Sequence, residues 1–91
     1  SEAAQSWAAA NCNRMLHNAA ILQFHADEPG TQNGEPWRTN VGGTRYMLDL
    51  CKKVGIRDLQ YVSTAYVCGF RDTPALENEL DVGQQFRNAY E

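Results

Sequence analysis

The chain has 91 residues, of which 43% are hydrophobic and 21% charged, and its formal net charge is -3. This length allows one small domain, and the acidic balance argues against a nucleic-acid-binding protein, which would carry a basic face. No apolar run reaches the roughly 20 residues that span a bilayer, and the first residues lack the basic start and apolar core of a signal peptide. The three cysteines match no zinc-binding spacing, so we expect reduced thiols, no metal and a cytoplasmic location.

Two regular elements are predicted in the first half of the chain. Good helix formers at 2–10 indicate a helix. The apolar run RMLHNAAIL at 14–22 predicts a buried strand that ends in a tight loop. The proline- and glycine-containing stretch at 25–36 is typical of a surface loop.

In the second half of the chain a helix is again followed by a strand. Apolar residues three or four positions apart predict a long helix from Trp37 to Val54. LQYVS at 59–63 predicts a second buried strand, and after a polar loop QQFRNAYE at 84–91 predicts the opening of a further helix. Alternating helices and strands are typical of an α/β fold with a parallel sheet covered by helices. Because two strands make a marginal sheet, we expect them to be part of a larger one.

Four segments in the chain resemble the extended short-chain dehydrogenase/reductases. They are HNAA (17–20), NVGGT (40–44), VSTAYVCG (62–69) and ENELDVGQQFRNAYE (77–91). Within that family they are most similar to the thioester-reductase branch, which includes fatty acyl-CoA reductases and the reductive release domains of peptide and polyketide synthases. The resemblance implies part of a Rossmann-type doubly wound parallel sheet that lacks the N-terminal strands. Residues 1–91 would then form the central fragment of one NAD(P)-binding reductase domain.

The expectation of a fragment rests on two family features. The glycine-rich turn that follows the family's first strand is not found in this sequence. The family's lysine, four residues after its tyrosine, would fall three residues beyond Glu91. We therefore expect the 91-residue chain alone to be inactive.

The same resemblance implies the catalytic residues. In the family a tyrosine is the acid, a lysine lowers its pKa from the usual value of roughly 10, and a serine or threonine hydroxyl holds the carbonyl. By position, Thr64 matches the hydroxyl and Tyr90 matches the tyrosine. Considered without the family, Thr64 would be expected only to cap the strand end through a local hydroxyl–backbone bond.

The resemblance also implies a cofactor-binding set. It consists of Asn18, Ala19 and Ala20 after the first strand, Ser63 after the second, and Tyr90. Small residues follow the first strand because the cofactor passes close to the backbone there. Asn40 is expected to support the site structurally, with a side-chain bond that ties the long helix to the strand-end loops.

Other polar and aromatic residues have simpler interpretations. His17 is expected to be solvated at the strand end, and Ser63 to face away from its neighbour, because adjacent strand residues alternate. The acidic residues of ENELD (Glu77, Glu79 and Asp81) are expected to form a solvated loop, and Trp7 and Trp37 to be packing residues.

The resemblance implies an NADPH-dependent reductase, with NADH as the other possible cofactor. Hydride would pass to an acyl thioester on coenzyme A or on a phosphopantetheine carrier protein, and an aldehyde or alcohol would be released. Two alternatives stay open. One is another extended member, such as a nucleotide-sugar epimerase or a hydroxysteroid-type dehydrogenase. The other is a catalytically silent fragment of such a reductase.

Overall fold

The computed structural model describes residues 1–23 and 34–91. The predicted surface loop at 25–36 lies outside the described residues except for its last three. The elements are the helix α1 (Glu2–Asn11), the strand β1 (Arg14–His17), a π-helical segment (Arg38–Gly43), the helix α2 (Thr44–Val54), the strand β2 (Asp58–Tyr61) and a short 3-10 helix (Ala65–Cys68). The predicted alternation of helices and strands is confirmed, and both strands are shorter than predicted.

The two strands pair in parallel, with residues 14–17 opposite residues 58–61. On one face of this sheet, Met15 and Leu59 pack against the buried core residues Cys51, Val54 and Ile56. Side chains alternate between the faces of a strand, so Leu16 lies on the opposite face, where 66% of it is exposed. The prediction of two buried strands is therefore wrong for that face.

The helix α1 is capped at its N-terminus, and none of its residues is buried. The Ser1 hydroxyl accepts a hydrogen bond from the amide of Ala4 and caps the helix. Trp7 is 63% exposed, so its predicted packing role is wrong. Trp37, at the start of the long helical region, is half-buried.

The long helix predicted from Trp37 to Val54 is present in two parts. Its first turns form the wider π-helical segment, and regular α-helix begins at Thr44. The segment contains Gly42 and Gly43, which lower helix propensity by about 1 kcal/mol each relative to alanine. The helix ends at Gly55, whose φ of 80° is the left-handed conformation of a glycine C-cap.

Residues 69–91 form an extended loop with turns. Gln84 organises it, because its side-chain amide donates to the carbonyls of Val67 and Leu80 at 3.0 and 2.8 Å. A backbone hydrogen bond of 2.9 Å from Phe70 to Gln85 ties the two ends of the loop together. The helix predicted to open at 84–91 is not formed there: residues 84–88 are irregular or bent, and residues 89 and 90 form a turn.

Candidate functional site

A cavity of about 460 Å³ lies at the carboxyl ends of both strands. Four segments of the chain line it. The lining residues are Asn18, Ala20 and Leu22 after β1, Asn40 and Val41 before α2, Tyr61, Val62, Ser63, Thr64 and Val67 at and after the end of β2, and Ala89, Tyr90 and Glu91. In parallel α/β sheets, ligands bind outside the carboxyl ends of the strands. The cavity volume also falls within the range of small-molecule sites.

The cavity brings together most of the residues that the sequence singled out. Asn18 and Ala20 line one side, Ser63 and Thr64 follow β2, and Tyr90 lies on the last segment. Ala19, which was grouped with its neighbours, is exposed and does not line the cavity. The roles of these residues in catalysis and cofactor binding stay predictions.

The side chain of Asn40, in the π-helical segment, binds the backbone of Ile21 in the segment that follows β1. Its side-chain oxygen accepts a hydrogen bond from the amide of Ile21 at 2.8 Å, and its nitrogen donates to the carbonyl of the same residue at 3.1 Å. This two-point contact satisfies both backbone groups of Ile21 in a segment that has no strand partner. It holds residues 18–22 at the mouth of the cavity.

His17 is buried, with 6% of it exposed, so the expectation of a solvated histidine is wrong. Its Nε2 lies 3.1 Å from the hydroxyl of Thr44, and that hydroxyl donates to the carbonyl of Asn40 at 2.7 Å. A hydroxyl has one proton, so Nε2 must carry a proton and donate to Thr44.

The His17 ring also stacks on Tyr61, with the ring centroids 5.4 Å apart and the planes inclined by 16°. Tyr61 lines the cavity. His17 therefore joins β1, β2 and α2 behind the cavity wall. No local sequence pattern indicates this arrangement, because His17, Thr44 and Tyr61 lie far apart along the chain.

Thr64 stands where β2 gives way to the 3-10 helix. Its hydroxyl oxygen accepts the amide of Tyr66 at 3.2 Å and caps that helix. This is the local bond expected of such a threonine. Accepting a hydrogen bond leaves the hydroxyl proton for donation, so the same side chain can serve both as a cap and as a donor to a ligand in the cavity.

Ser63 lines the same cavity as Thr64. Both residues follow β2, which ends at Tyr61. Beyond that point the backbone is irregular, and strand alternation no longer sets the side-chain directions.

Tyr90 is placed by Asn88. The buried side chain of Asn88 accepts hydrogen bonds from the amides of Tyr90 and Glu91 at 2.9 and 3.3 Å. Bonds to the second and third following amides are those of a helix N-cap. The ring of Tyr90 meets the ring of Tyr66 edge-on, with centroids 6.4 Å apart. The position of Tyr90 is thus fixed by the hydrogen bond of its backbone amide and by the contact of its ring with Tyr66.

Glu91 is a cavity-lining residue that the sequence did not single out. Its side chain is 6% exposed and pairs with the Arg87 guanidinium at 3.5 Å. It also accepts a hydrogen bond from the amide of Arg87 at 2.8 Å. The side chain of Arg87 lies over the ring of Phe70, 3.9 Å from its centroid. The carboxylate in the cavity wall is therefore paired.

The acidic residues of ENELD lie away from the cavity. Glu77 and Asp81 are exposed, as expected, but Glu79 is half-buried and pairs with Arg71 at 3.1 Å. The hydrogen bond from the amide of Leu76, together with the charge of Arg71, holds the pKa of Glu79 below its usual value. Glu79 therefore has a structural role within the loop.

The parallel strand–helix–strand unit, with a cavity at the carboxyl ends of its strands, is compatible with part of a Rossmann-like α/β fold. The family model described as male sterility protein, a family of NAD-binding domains, matches residues 1–91. The chain therefore belongs to the male sterility protein family, an extended group similar to the short-chain dehydrogenase/reductases. No curated protein and no solved structure matches the chain significantly.

The family indicates an NAD(P)-dependent oxidoreductase. The cavity has room and polar groups for part of such a cofactor: Ala20 has a small side chain, and Asn18 and Ser63 can form hydrogen bonds. In the described residues, 1–23 and 34–91, no helix is long and apolar enough to cross a membrane.

Proposed function

We propose that the protein is an NADPH-dependent reductase that transfers a hydride to an acyl thioester and releases an aldehyde or an alcohol. The observation that carries this proposal is that Thr64 and Tyr90 line one and the same cavity at the strand ends. A reductase needs one group to hold the carbonyl oxygen and one to protonate it. The thioester would be carried on coenzyme A or on the phosphopantetheine arm of a carrier protein.

When bound, the nicotinamide cofactor supplies the hydride. Asn18 and Ser63 would hydrogen-bond its ribose end, and the small side chain of Ala20 would let it approach the backbone. Thr64 would donate its remaining proton to the thioester carbonyl oxygen, while the amide of Tyr66 holds the hydroxyl in place. Tyr90 would give its phenolic proton to the same oxygen as negative charge develops there. The resulting hemithioacetal would collapse with cleavage of its C–S bond, which releases the aldehyde and the free thiol of the carrier. Release of an alcohol would require a second hydride and a second proton delivered to the aldehyde.

The chain is proposed to form the central part of one reductase domain that acts in the cytoplasm. The argument for a larger domain is architectural. Within residues 1–23 and 34–91 the sheet has two strands, and α2 covers one of its faces, whereas parallel sheets normally have both faces covered. Further strands and a second helical layer would complete it, including the turn that binds the cofactor phosphates.

Two measurements test the proposal, both on the complete reductase domain of which residues 1–91 are proposed to be the central part, because the 91-residue chain alone is expected to be inactive. Calorimetric titration with NADPH and NADH measures cofactor binding, and the absorbance of the reduced nicotinamide measures turnover with an acyl thioester. We expect Tyr90→Phe and Thr64→Val each to lower kcat by about 10²–10³-fold while NADPH binding changes little. Tyr46→Phe is the matched control, because Tyr46 is 77% exposed on α2 and should have no effect.

Three outcomes would contradict the proposal. They are the absence of dinucleotide binding, full activity of the Tyr90→Phe protein, and turnover of alcohols or nucleotide sugars without turnover of thioesters. The last would favour another extended reductase. Binding without any turnover would favour the catalytically silent alternative.

A further inference from the structure

Tyr66 contacts both of the residues to which the proposed function gives the chemistry. Its backbone amide donates to the Thr64 hydroxyl at 3.2 Å. Its ring meets the ring of Tyr90 edge-on, with the centroids 6.4 Å apart and the planes inclined by 62°. Aromatic rings prefer this arrangement, because the positive edge of one ring lies against the negative face of the other. Tyr66 therefore connects the segment after β2 with the segment that carries Tyr90.

The backbone of Tyr66 is fixed on both sides. Its amide is bonded to the Thr64 hydroxyl, and its carbonyl accepts a hydrogen bond from the amide of Gly69 at 2.9 Å. Thr64 caps the beginning of the short 3-10 helix and Gly69 caps its end. The Tyr66 ring thus projects from a segment whose orientation relative to Thr64 is set by hydrogen bonds.

The side chain of Tyr66 lies behind the cavity at the strand ends. It lines another space, of about 290 Å³, together with Arg87, Asn88 and Glu91. It is not among the residues that line the cavity of Thr64 and Tyr90. A side chain in this position acts on a ligand in that cavity through the ring of Tyr90.

We propose that Tyr66 is a positioning residue, whose ring holds the ring of Tyr90 in the geometry relative to Thr64 that lets both hydroxyls reach one carbonyl oxygen. This inference rests on the proposed function for the roles of Thr64 and Tyr90. Two donors stabilise one developing oxyanion only when both are in place at the same time, and a misplacement of about 1 Å can lower a rate on the order of 100-fold. The aromatic ring of Tyr66 is the part that this role needs, not its phenolic oxygen.

Steady-state kinetics of the complete reductase domain test this role. We expect Tyr66→Ala to lower kcat by about 10- to 100-fold, while the KM for an acyl thioester and the Kd of NADPH stay within about twofold. Tyr66→Phe keeps the ring and should keep kcat within about threefold of the unsubstituted protein. Tyr46→Ala is the matched control, because Tyr46 is 77% exposed on α2 and should change none of these constants.

A double-mutant cycle separates positioning from a general effect on the fold. In the Tyr90→Phe background the phenolic proton is absent, so Tyr66→Ala should lower the remaining kcat by less than about twofold. A loss of equal size in both backgrounds would overturn the proposal, as would a loss of NADPH affinity as large as the loss of kcat. Tyr66 is 55% exposed, so its truncation does not open the core. If the Tyr66→Ala protein is nevertheless unfolded by circular dichroism, Tyr66→Leu, which fills much of the space without a ring, decides in its place.

Fluorine NMR of the domain labelled with 3-fluorotyrosine measures the ring contact without any turnover. The Tyr90 resonance is the one that is lost in Tyr90→Phe. Tyr66→Ala should move this resonance, Tyr46→Ala should leave it in place, and a resonance that does not move in Tyr66→Ala would overturn the proposal. A moved resonance in a domain that reduces no thioester would contradict the proposed function and leave Tyr66 as the residue that positions the Tyr90 ring. Thioester reduction with equal losses in both backgrounds of the cycle would do the reverse.

Discussion

Gly69 is the residue at which the loop is most tightly constrained. Its φ of 62° and ψ of -155° lie in a region that is essentially restricted to glycine. A β-carbon at this position would lie 2.5 Å from the carbonyl oxygen of Gln85, which accepts the Phe70 amide. We expect Gly69→Ala to lower the free energy of unfolding by about 2–4 kcal/mol, because backbone strain and a steric clash add together.

Gly83→Ala is the control, measured by urea unfolding alongside the Gly69 variant. Its φ of 77° is also positive, but a β-carbon there would meet nothing within 4 Å. Gly83→Ala should therefore lower the free energy of unfolding by about 1–2 kcal/mol, from backbone strain alone. Equal losses in the two variants would mean that the contact between Gly69 and Gln85 does not constrain the loop.

At the same scale, the sequence indicates some site residues and misses others. Thr64 and Tyr90 were found through segments that resemble a family, and the structure places both in the cavity. His17 was expected to be solvated because a lone polar residue at a strand end has no local sign of burial. Its partners Thr44 and Tyr61 are distant in the sequence, and their meeting depends on how the whole strand–helix–strand unit packs.

At the scale of the elements, Asn40 links the helical region to the segment after β1. Its two hydrogen bonds to Ile21 should contribute about 1–3 kcal/mol together. We expect Asn40→Ala to lower the free energy of unfolding by that amount and to weaken dinucleotide binding, since Asn18, Ala20 and Leu22 of the segment that it holds line the cavity. Urea unfolding and calorimetric titration measure the two effects.

Thr39→Ala provides the comparison for Asn40→Ala. Thr39 lies one residue earlier, and its hydroxyl donates to the Glu35 carboxylate at 2.9 Å in an exposed position. This variant should change stability by less than about 1 kcal/mol and leave cofactor binding unchanged. If both variants weakened binding equally, the effect would come from the helical segment as a whole, not from the contact with Ile21.

The pairing of β1 with β2 is reinforced by charges at the start of both strands. Asp58 accepts a hydrogen bond from Gln60 at 3.0 Å and forms a salt bridge with Arg14, its partner in the sheet register. The hydrogen bond from Gln60, followed by the bond from Arg14, holds the pKa of Asp58 below its ordinary value of 3.8. A lowered folded-state pKa stabilises the fold above the unfolded pKa, and this contribution is lost as the pH falls through the folded value.

We therefore expect the protein to lose stability as the pH falls below about 4, with part of the loss due to Asp58. In Asp58→Asn this part of the acid dependence should be absent, which thermal unfolding between pH 2 and 6 would measure. The effect should be small and should shrink in salt, because both side chains are partly exposed. An unchanged acid dependence in Asp58→Asn would show that other carboxylates account for it.

The elements themselves were predictable to different degrees. The helix α2 was predicted because its apolar spacing is long and regular. The π-helical segment Arg38–Gly43 was not predicted. It contains the pair Gly42 and Gly43, and the side chain of Asn40 forms hydrogen bonds with Ile21, which is distant in the sequence. The loop at 69–83 was predicted only as polar, and Gln84 was placed in the opening of a helix. The framework of the loop depends on Gln84, whose bond to Val67 crosses 17 residues and has no local sequence sign.

At the scale of the whole molecule, the predicted burial exceeds the observed burial. The fully buried apolar core comprises Cys51, Val54 and Ile56 within the described residues. The radius of gyration is 15.6 Å, against about 12 Å for a compact chain of this length. The strand sequences are apolar enough for a sheet covered on both faces, whereas α2 covers one face. That difference explains why Leu16 and Val62 were predicted as buried and lie exposed.

An uncovered parallel sheet with unpaired edges favours association. We expect the chain alone to self-associate as its concentration rises, and Leu16→Lys to shift the population toward monomer. Leu16 is 66% exposed, so its replacement removes apolar surface without opening the core. Light scattering coupled to size-exclusion chromatography measures the mass. Leu76→Lys is the control, because Leu76 is 62% exposed on the loop and should not change the mass. A chain that stays monomeric at every concentration, or an equal shift in the control, would mean that the open face of the sheet is not what associates.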